Sequence, residues 1–386
     1  MKQLTVVLPL VFILILQFVP NVLAESGKTL VFGQSAALSG PAQELGVGMR
    51  LGLVAAFNEI NGAGGVHGYQ LELESLDDSY EPEAAVINTR KLIDEHKVFA
   101  LIGAVGTPTS MAALPIATEA GIPYIAPFTG AEFLRNAELY PNVVNVRASY
   151  FQETEEMVAR LSEDLGVELI SIFYQDDSFG RSGLAGLRQA VERRGMSLVE
   201  EVYYRRNTEA VKIALLDLRR AHAEAVIIVG AYKPAATMIR WARRLNFNPY
   251  FINISFIGST ALARELGSDG TGVYVTQVVP LPQDTHLQIV AQYQRALHEV
   301  SPDNEPSFVS LEGYLAGRLA AEGLRLTGGN INRDRFLEAL KQAGTIDFGG
   351  FRLSYGVDDN QGSDQVYLTR IDDRGHFRSV SRMTPQ

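Results

Sequence analysis

The stretch TLVFGQSAALSGPAQELGVGMRLGLVAAFNEINGAGGVHGYQLELESLDD, residues 29–78, contains a complete β-α-β pattern. It begins with an apolar, β-branched run, continues with the apolar spacing of a helix over residues 48–61, and returns to a strand over residues 69–78. The first run is apolar enough to be buried on both faces, as strands of parallel sheets are. The stretch therefore predicts a parallel sheet covered by helices.

The same rhythm continues along the chain and then restarts. Further strands are predicted at residues 98–105 and 122–128, and a second series begins at residue 169 and continues at residues 197–204, 223–232 and 249–257. Hydrophobic residues make up 46% of the chain, which supports packed cores. Because more than about 300 residues rarely share one core, we expect two α/β units with a cleft between the carboxyl ends of their strands.

Residues 1–24 have the pattern of a secretory signal peptide. Lys2 precedes an apolar run from Leu4 to Val19, and small residues end at Ala24, where cleavage is expected. A retained membrane anchor is the alternative, but it would need about 20 unbroken apolar residues, and Pro9 and Pro20 shorten this run. The chain contains no Cys, so lipidation after the signal is not expected. We therefore expect a periplasmic protein that is not a lipoprotein.

Composition and motifs argue against most other functions. A net charge of -10 disfavours nucleic acid and anionic membranes as partners. The six His residues are scattered without metal-ligand spacing, and neither a P-loop nor a G-x-S-x-G elbow is present. The glycines of GVGMRLG, residues 46–52, are interpreted as helix-packing residues rather than a nucleotide motif. No cofactor and no metal are predicted, and ligand binding is favoured over catalysis.

Three pairs of adjacent aspartates leave alternatives open. They could be acid/base dyads or a calcium site, but at strand ends such pairs are more often turn formers or helix caps. The pairs are Asp77–Asp78, Asp176–Asp177 and Asp358–Asp359.

Several motifs in one order resemble the type I periplasmic solute-binding proteins of the branched-chain amino acid and amide class. The amino-terminal signature consists of Ser39, Gly40, Pro41, Gly46, Asn61, Gly64, Gly65 and Gly68. The resemblance continues through DDSYEP, IGAVGTPTSMAALPIATEAGIPYIAP, YQDDSFGRSGLAGLRQAVERRG and TQVVPLP. It covers nearly the whole mature chain.

This resemblance implies an α/β fold of two doubly wound parallel-sheet lobes joined by a three-crossing hinge. Lobe one would comprise residues 27–147 plus 278–352, and lobe two residues 148–277 plus 353–386. Such lobes close on a small-molecule ligand as rigid bodies. Family members are mostly monomeric, so a monomer is expected.

The resemblance also implies two turns that bind a ligand carboxylate. Thr107 and Thr109 would offer hydroxyls and backbone N–H groups at a helix N-terminus, where an anion is stabilised. Ser110 would either join them or cap the helix. Phe128 and Thr129 would form the second turn, with Phe128 where amino acid binders usually have a small residue.

Other implied ligand contacts favour an aromatic cleft. Tyr150 and Phe256 stand where amino acid binders have the Asp and Glu that hold the ammonium, and a buried ammonium without a carboxylate would be costly. An aromatic or other organic acid, or a neutral amide, is therefore favoured over an amino acid. Leu45 and Tyr232 would either line the pocket or pack in their own lobes. For Arg147 a structural hinge role is favoured over ligand binding.

Three functions remain open at this level. The favoured one is a receptor that delivers its ligand to the membrane permease of an ABC importer. The second is a ligand-sensing partner of a membrane receptor, without transport. An exported enzyme is a third alternative, disfavoured because no catalytic constellation is found.

Overall fold

The computed structural model describes Met1 and residues 28–385, so residues 2–24 of the predicted signal peptide lie outside the described part. The chain begins with the alternation of strands and helices that the sequence predicts. The elements are β1 (Lys28–Ala36), α1 (Gln43–Gly62), β2 (Tyr69–Asp77), α2 (Pro82–Asp94), β3 (Ala100–Ile102), α3 (Thr107–Glu119), β4 (Tyr124–Ile125) and β5 (Val143–Val144).

The second series follows from residue 150. Its elements are α4 (Tyr150–Ala159), β6 (Ile170–Gln175), α5 (Ser178–Glu192), β7 (Glu200–Tyr204), α6 (Lys212–Arg220), β8 (Ala225–Val229), α7 (Tyr232–Arg244), β9 (Tyr250–Asn253), α8 (Ser259–Leu266) and β10 (Tyr274–Gln277). The last part of the chain is mainly helical and then forms short strands. It contains α9 (Gln288–Val300), α10 (Phe308–Leu326), α11 (Arg333–Gln342), β11 (Thr345–Asp347), β12 (Arg352–Ser354), β13 (Tyr367–Ile371) and β14 (Phe377–Val380).

Two large sheets define the two lobes. Lobe one contains a parallel sheet of order β2-β1-β3-β4-β5, and lobe two a sheet of order β14-β13-β10-β9-β8-β6-β7. In lobe two, β6 to β10 are parallel, whereas β13 and β14 are antiparallel additions at one edge. Helices α9 and α10 return to pack against α1 of lobe one. The chain thus passes between the lobes three times, while the boundaries at residues 147, 277 and 352 stay a prediction.

Glycines allow α1 to pack closely against its neighbours. A Cβ on Gly52 would lie 1.9 Å from the Ser310 carbonyl oxygen of α10, and a Cβ on Gly46 would lie 2.0 Å from that of Ala37. The interpretation of GVGMRLG as helix-packing glycines is therefore confirmed. One apolar core continues from lobe one into lobe two, so the lobes are in contact. No helix of the described residues is long and apolar enough to cross a membrane.

Candidate functional site

The turn between β3 and α3 is held in an unusual backbone conformation. Gly106 precedes α3 with φ of 104°, a value that favours glycine. A Cβ at this position would lie 2.2 Å from Cε2 of Tyr80, because that ring packs directly on the turn. Phe128 is joined to Val105 by a parallel bridge, so the turn after β4 lies beside the turn after β3.

Three buried hydroxyl groups meet where these turns approach α4. The hydroxyl oxygens of Thr107 and Thr129 are 2.6 Å apart, and the Thr129 hydroxyl donates to that of Tyr150 at 3.2 Å. Tyr150 begins α4, which Ser149 and Gln152 cap reciprocally. Burial raises the pKa of Tyr150, so its phenol is neutral. The cluster lies at the start of α3, a position that generally favours an anion.

Thr109 and Ser110 are engaged within lobe one instead. The Thr109 hydroxyl donates to the carbonyl oxygens of Val105 and, at 3.0 Å, Gly106. The Ser110 hydroxyl accepts from the Tyr124 hydroxyl at 3.1 Å. Since α3 begins at Thr107, Ser110 lies inside the helix, and the alternative that it caps the helix is wrong.

Four aromatic rings from the two lobes form an interlobe aromatic cluster around Phe256. The ring centroid of Phe256 lies 4.5 Å from that of Phe179, 5.3 Å from Phe128 and 6.0 Å from Tyr80. Tyr80 and Phe128 belong to lobe one, whereas Phe179 and Phe256 belong to lobe two. Tyr150 extends the cluster, with its ring 5.4 Å from that of Phe179. These rings are fully buried where the lobes meet.

Arg147 lies beside this cluster in a buried ionic group. Its guanidinium carbon is 4.8 Å from the Phe128 ring centroid, and Nη2 donates to the Ser255 hydroxyl. Nη2 is 3.7 Å from Oε1 of Glu153, and Nε is 3.6 Å from Oε1 of Glu312. Because Glu153 lies on α4 and Glu312 on α10, Arg147 joins elements packed on different lobes, as a hinge residue would.

The two glutamates of this group have different partners. Glu153 accepts hydrogen bonds from the backbone and hydroxyl of Ser255, both at 2.8 Å, and from the Thr276 hydroxyl at 2.6 Å. Its carboxylate is therefore already satisfied. Burial raises the pKa of Glu312 to about 7, against the opposing attraction of Arg147.

Leu45 and Tyr232 also contact the opposite lobe. A Cβ on Gly258 of lobe two would lie 2.7 Å from Cδ2 of Leu45 of lobe one. Tyr232 hydrogen-bonds the backbone of Glu44, and burial raises its pKa to about 12. The Glu44 carboxylate pairs with Arg264 of α8 at 2.9 Å. The start of α1 is thereby fixed to lobe two.

A second set of polar contacts joins the lobes near β2. Arg206 of lobe two is 2.6 Å from the Glu81 carboxylate of lobe one, and Asn207 donates to the same carboxylate at 2.7 Å. The Gln175 amide donates to the Tyr80 hydroxyl at 3.2 Å. The lobes are therefore closed on each other.

A cavity of about 110 Å³ remains between the closed lobes. Pro41 and Ala42 line it from lobe one, whereas Gln175, Tyr204 and Lys233 line it from lobe two. These lobe-two residues follow or end β6, β7 and β8, the edge at which parallel α/β sheets bind ligands.

The chain resembles known proteins over most of its length. A family model described as periplasmic binding protein matches residues 29–376. The chain belongs to this family.

Two similar proteins have names that specify ligands. The leucine-, isoleucine-, valine-, threonine- and alanine-binding protein of Pseudomonas aeruginosa is 21% identical over 318 residues, or 82% of this chain and 83% of that protein. The structure of a possible leucine/isoleucine/valine-binding protein from Rhodopirellula baltica SH 1 is 40% identical, with a TM-score of 0.86, over 92% of this chain and 97% of that chain.

A second structure is similar in fold alone. The fatty acid ABC transporter substrate-binding protein of Thermomonospora curvata has a TM-score of 0.84 at 18% identity, over 93% of each chain. The two proteins therefore share the type I periplasmic-binding-protein fold.

The aspartate pairs of this periplasmic binding protein form turns and caps, as expected. Asp77 accepts from the backbone N–H groups of Leu38, Ser39 and Ser79, and Asp177 caps α5. Asp359 accepts from the backbone of Gln361. Among the described residues, no group of three or more His, Cys, Asp or Glu is placed to hold a metal ion.

Sequence reasoning missed two rings of the aromatic cluster. Tyr80 follows Asp78 in DDSYEP, and Phe179 follows the α5 cap in YQDDSFG, both segments that carried the family resemblance. An aromatic residue just beyond each strand-end aspartate pair is the signal that could have found them.

Proposed function

We propose that this protein is an extracytoplasmic solute-binding protein that captures a small organic acid between its lobes and delivers it to the permease of an ABC importer. It acts in the periplasm as a monomer, after removal of a signal peptide and without a lipid anchor. The observation that carries the proposal is the closure of both lobes over the hydroxyl cluster and the aromatic cluster.

The polar groups of the cleft support an acid without an amino group. The hydroxyls of Thr107, Thr129 and Tyr150 are neutral, and the start of α3 favours a carboxylate. Glu153 is the buried acid nearest to them along the chain, and its carboxylate is already bound by Ser255, Thr276 and Arg147. A ligand ammonium would lack a free counter-charge, and such burial is costly. The aromatic cluster favours an aromatic acid.

The test is a thermal-shift screen of residues 25–386, refolded to remove any carried ligand. The panel compares leucine and valine with benzoate, hexanoate and benzamide. Ligand at one hundred times its Kd stabilises by about 2.7 kcal/mol, so a true ligand moves the transition visibly. We expect shifts with the carboxylates. A shift with leucine or valine alone would replace this ligand class with the amino acids named for the Pseudomonas aeruginosa protein.

A matched pair of variants tests the carboxylate position. Thr107→Val removes a hydroxyl from the hydroxyl cluster, whereas Thr118→Val removes one that donates to Asn142 at the other end of α3. We expect Thr107→Val to abolish most of the shift with benzoate and Thr118→Val to leave it unchanged. Equal effects would assign the loss to helix stability instead of binding.

A further inference from the structure

We propose that the cavity beside Lys233 binds a second anionic group of the ligand, so that this protein prefers organic dianions to monocarboxylates. The inference rests on the proposed function, because it concerns a cavity between the same two lobes. It names a ligand class that the family membership alone does not specify.

The cavity has both the position and the shape of a ligand subsite. Pro41 and Ala42 close it from lobe one, and residues at the carboxyl ends of three lobe-two strands line the other side. It therefore exists in this form only while the lobes are closed. A water occupies roughly 30 Å³ in the liquid, so about 110 Å³ accommodates a small polar group such as a carboxylate.

The fixed polar groups of the cavity are already paired with each other. The Tyr204 hydroxyl donates to the side-chain oxygen of Gln175 at 3.0 Å and accepts from the backbone N–H of Ala231 at 2.9 Å. The Gln175 amide donates to Tyr80 and Asp177. These hydrogen bonds fix the side chains of Gln175 and Tyr204. Recognition of a ligand group is therefore left to cavity side chains that do not take part in them.

Lys233 is the charged group available for that recognition. It is half-buried in the first turn of α7, and within residues 28–385 it takes part in no ion pair. The neighbouring cation, Arg206, is by contrast paired with Glu81 and Asp177. Glu209 also lines the cavity, but it is exposed and its carboxylate accepts from the Thr237 hydroxyl.

An unpaired lysine in a partly desolvated cavity favours an anionic guest. Its charge gains little from Glu209, because that carboxylate is solvated, accepts from Thr237 and forms no ion pair with Lys233. An anion enclosed with Lys233 by lobe closure would interact more strongly, because the local dielectric is lower. The same ion would stabilise the closed form, in which both lobes surround it.

The experiment is titration calorimetry with matched pairs of acids, benzoate against terephthalate and hexanoate against adipate. For the wild-type protein we expect the dicarboxylate of each pair to bind about tenfold tighter or more, a difference of about 1.4 kcal/mol. Lys233→Met should remove this preference and leave monocarboxylate affinity within about twofold. Lys233→Arg should retain the preference, and Lys212→Met, on the exposed face of α6, should change neither affinity.

Each contrary result has a separate meaning. Wild-type binding of monocarboxylates without any preference for dicarboxylates would overturn the subsite and leave the proposed function intact. Equal weakening of both acids by Lys233→Met would also overturn it. Absence of binding by all four acids would overturn the organic-acid assignment and the subsite together. Melting curves of the Lys233 variants confirm that they fold.

Discussion

Phe128 of lobe one and Phe256 of lobe two lie with their ring centroids 5.3 Å apart and an angle of 36° between their planes. Each ring comes from a turn just beyond a central strand of its own sheet, so lobe closure brings the two together. A planar ligand inserted between the two rings would replace their mutual contact, because each of its faces would pack against one ring. This geometry supports the proposal of an aromatic ligand.

Replacing Phe256 by Leu should weaken aromatic acids selectively. Aromatic pairs contribute about 0.5–1.5 kcal/mol beyond area burial, so benzoate affinity should fall roughly threefold to tenfold, whereas hexanoate affinity should change less. Calorimetry with both acids measures this difference. Tyr203→Leu is the control, because that ring is 59% exposed on β7. Equal losses of affinity for both acids would mean that Phe256 contributes apolar packing to binding and no specific ring–ring interaction.

Gly106→Ala should impair both folding and binding. The added Cβ would lie 2.2 Å from Tyr80, in a backbone conformation that is almost confined to glycine and costs other residues about 1–3 kcal/mol. Gly121→Ala is a matched control, since Gly121 also has positive φ but no neighbour within 4 Å of an added Cβ. Urea unfolding should show a larger loss for Gly106→Ala, and benzoate binding should weaken in that variant alone. Equal losses of unfolding free energy in the two variants would mean that the Tyr80 ring moves aside without a measurable free-energy cost.

The elements of the fold could be predicted from the sequence because they depend on local pattern. Strands β1 and β3 and the turns after them were located from apolar runs followed by Gly, Thr and Pro. A cap at Ser110 would begin α3 later than the structure does, although Pro108 in its first turn is a helix-start signal. The N-cap position belongs to Gly106 instead.

The partners across the cleft could not be predicted in the same way. Arg147 meets Glu312 only because α10 returns to pack on α1 after the chain has completed lobe two. No local pattern specifies such a long-range contact. The pairing of Glu81 with Arg206 has the same origin, since each residue lies in a turn of a different lobe.

Glu81→Gln should weaken ligand binding, through lobe closure, more than it lowers the free energy of unfolding. The Glu81 carboxylate joins the lobes through Arg206 at 2.6 Å and Asn207 at 2.7 Å, so it stabilises the closed form alone. Because it is a partly exposed pair, we expect ligand affinity to fall roughly twofold to fivefold and the free energy of unfolding to change little. Glu201→Gln, which breaks an ion pair with Arg188 inside lobe two, is the control. Calorimetry in low and high salt should show that the difference between the two variants shrinks with screening.

The stability of the protein should fall as the pH rises through the range in which Glu312 titrates. Burial raises the pKa of Glu312 from 4.5 to about 7, so between these values the folded protein holds a proton that the unfolded chain releases. Stability decreases with pH wherever the folded state binds more protons. Asp78, with its pKa raised by burial to about 6, contributes in the same direction at lower pH. A variant is therefore needed to isolate Glu312.

Glu312→Gln imitates the protonated side chain and should remove its part of this dependence. Glu312 faces Arg147, with Glu153 and Arg135 as the other charged groups nearby, and Arg147 retains Glu153 as a counter-ion in the variant. Relative to wild type, the variant should gain on the order of 1–3 kcal/mol between pH 5 and pH 8. Urea unfolding at four pH values, with Glu322→Gln on the outer face of α10 as control, measures this gain. Parallel curves for wild type and Glu312→Gln would mean that Arg147 keeps Glu312 ionised over the whole pH range, and would contradict a raised pKa.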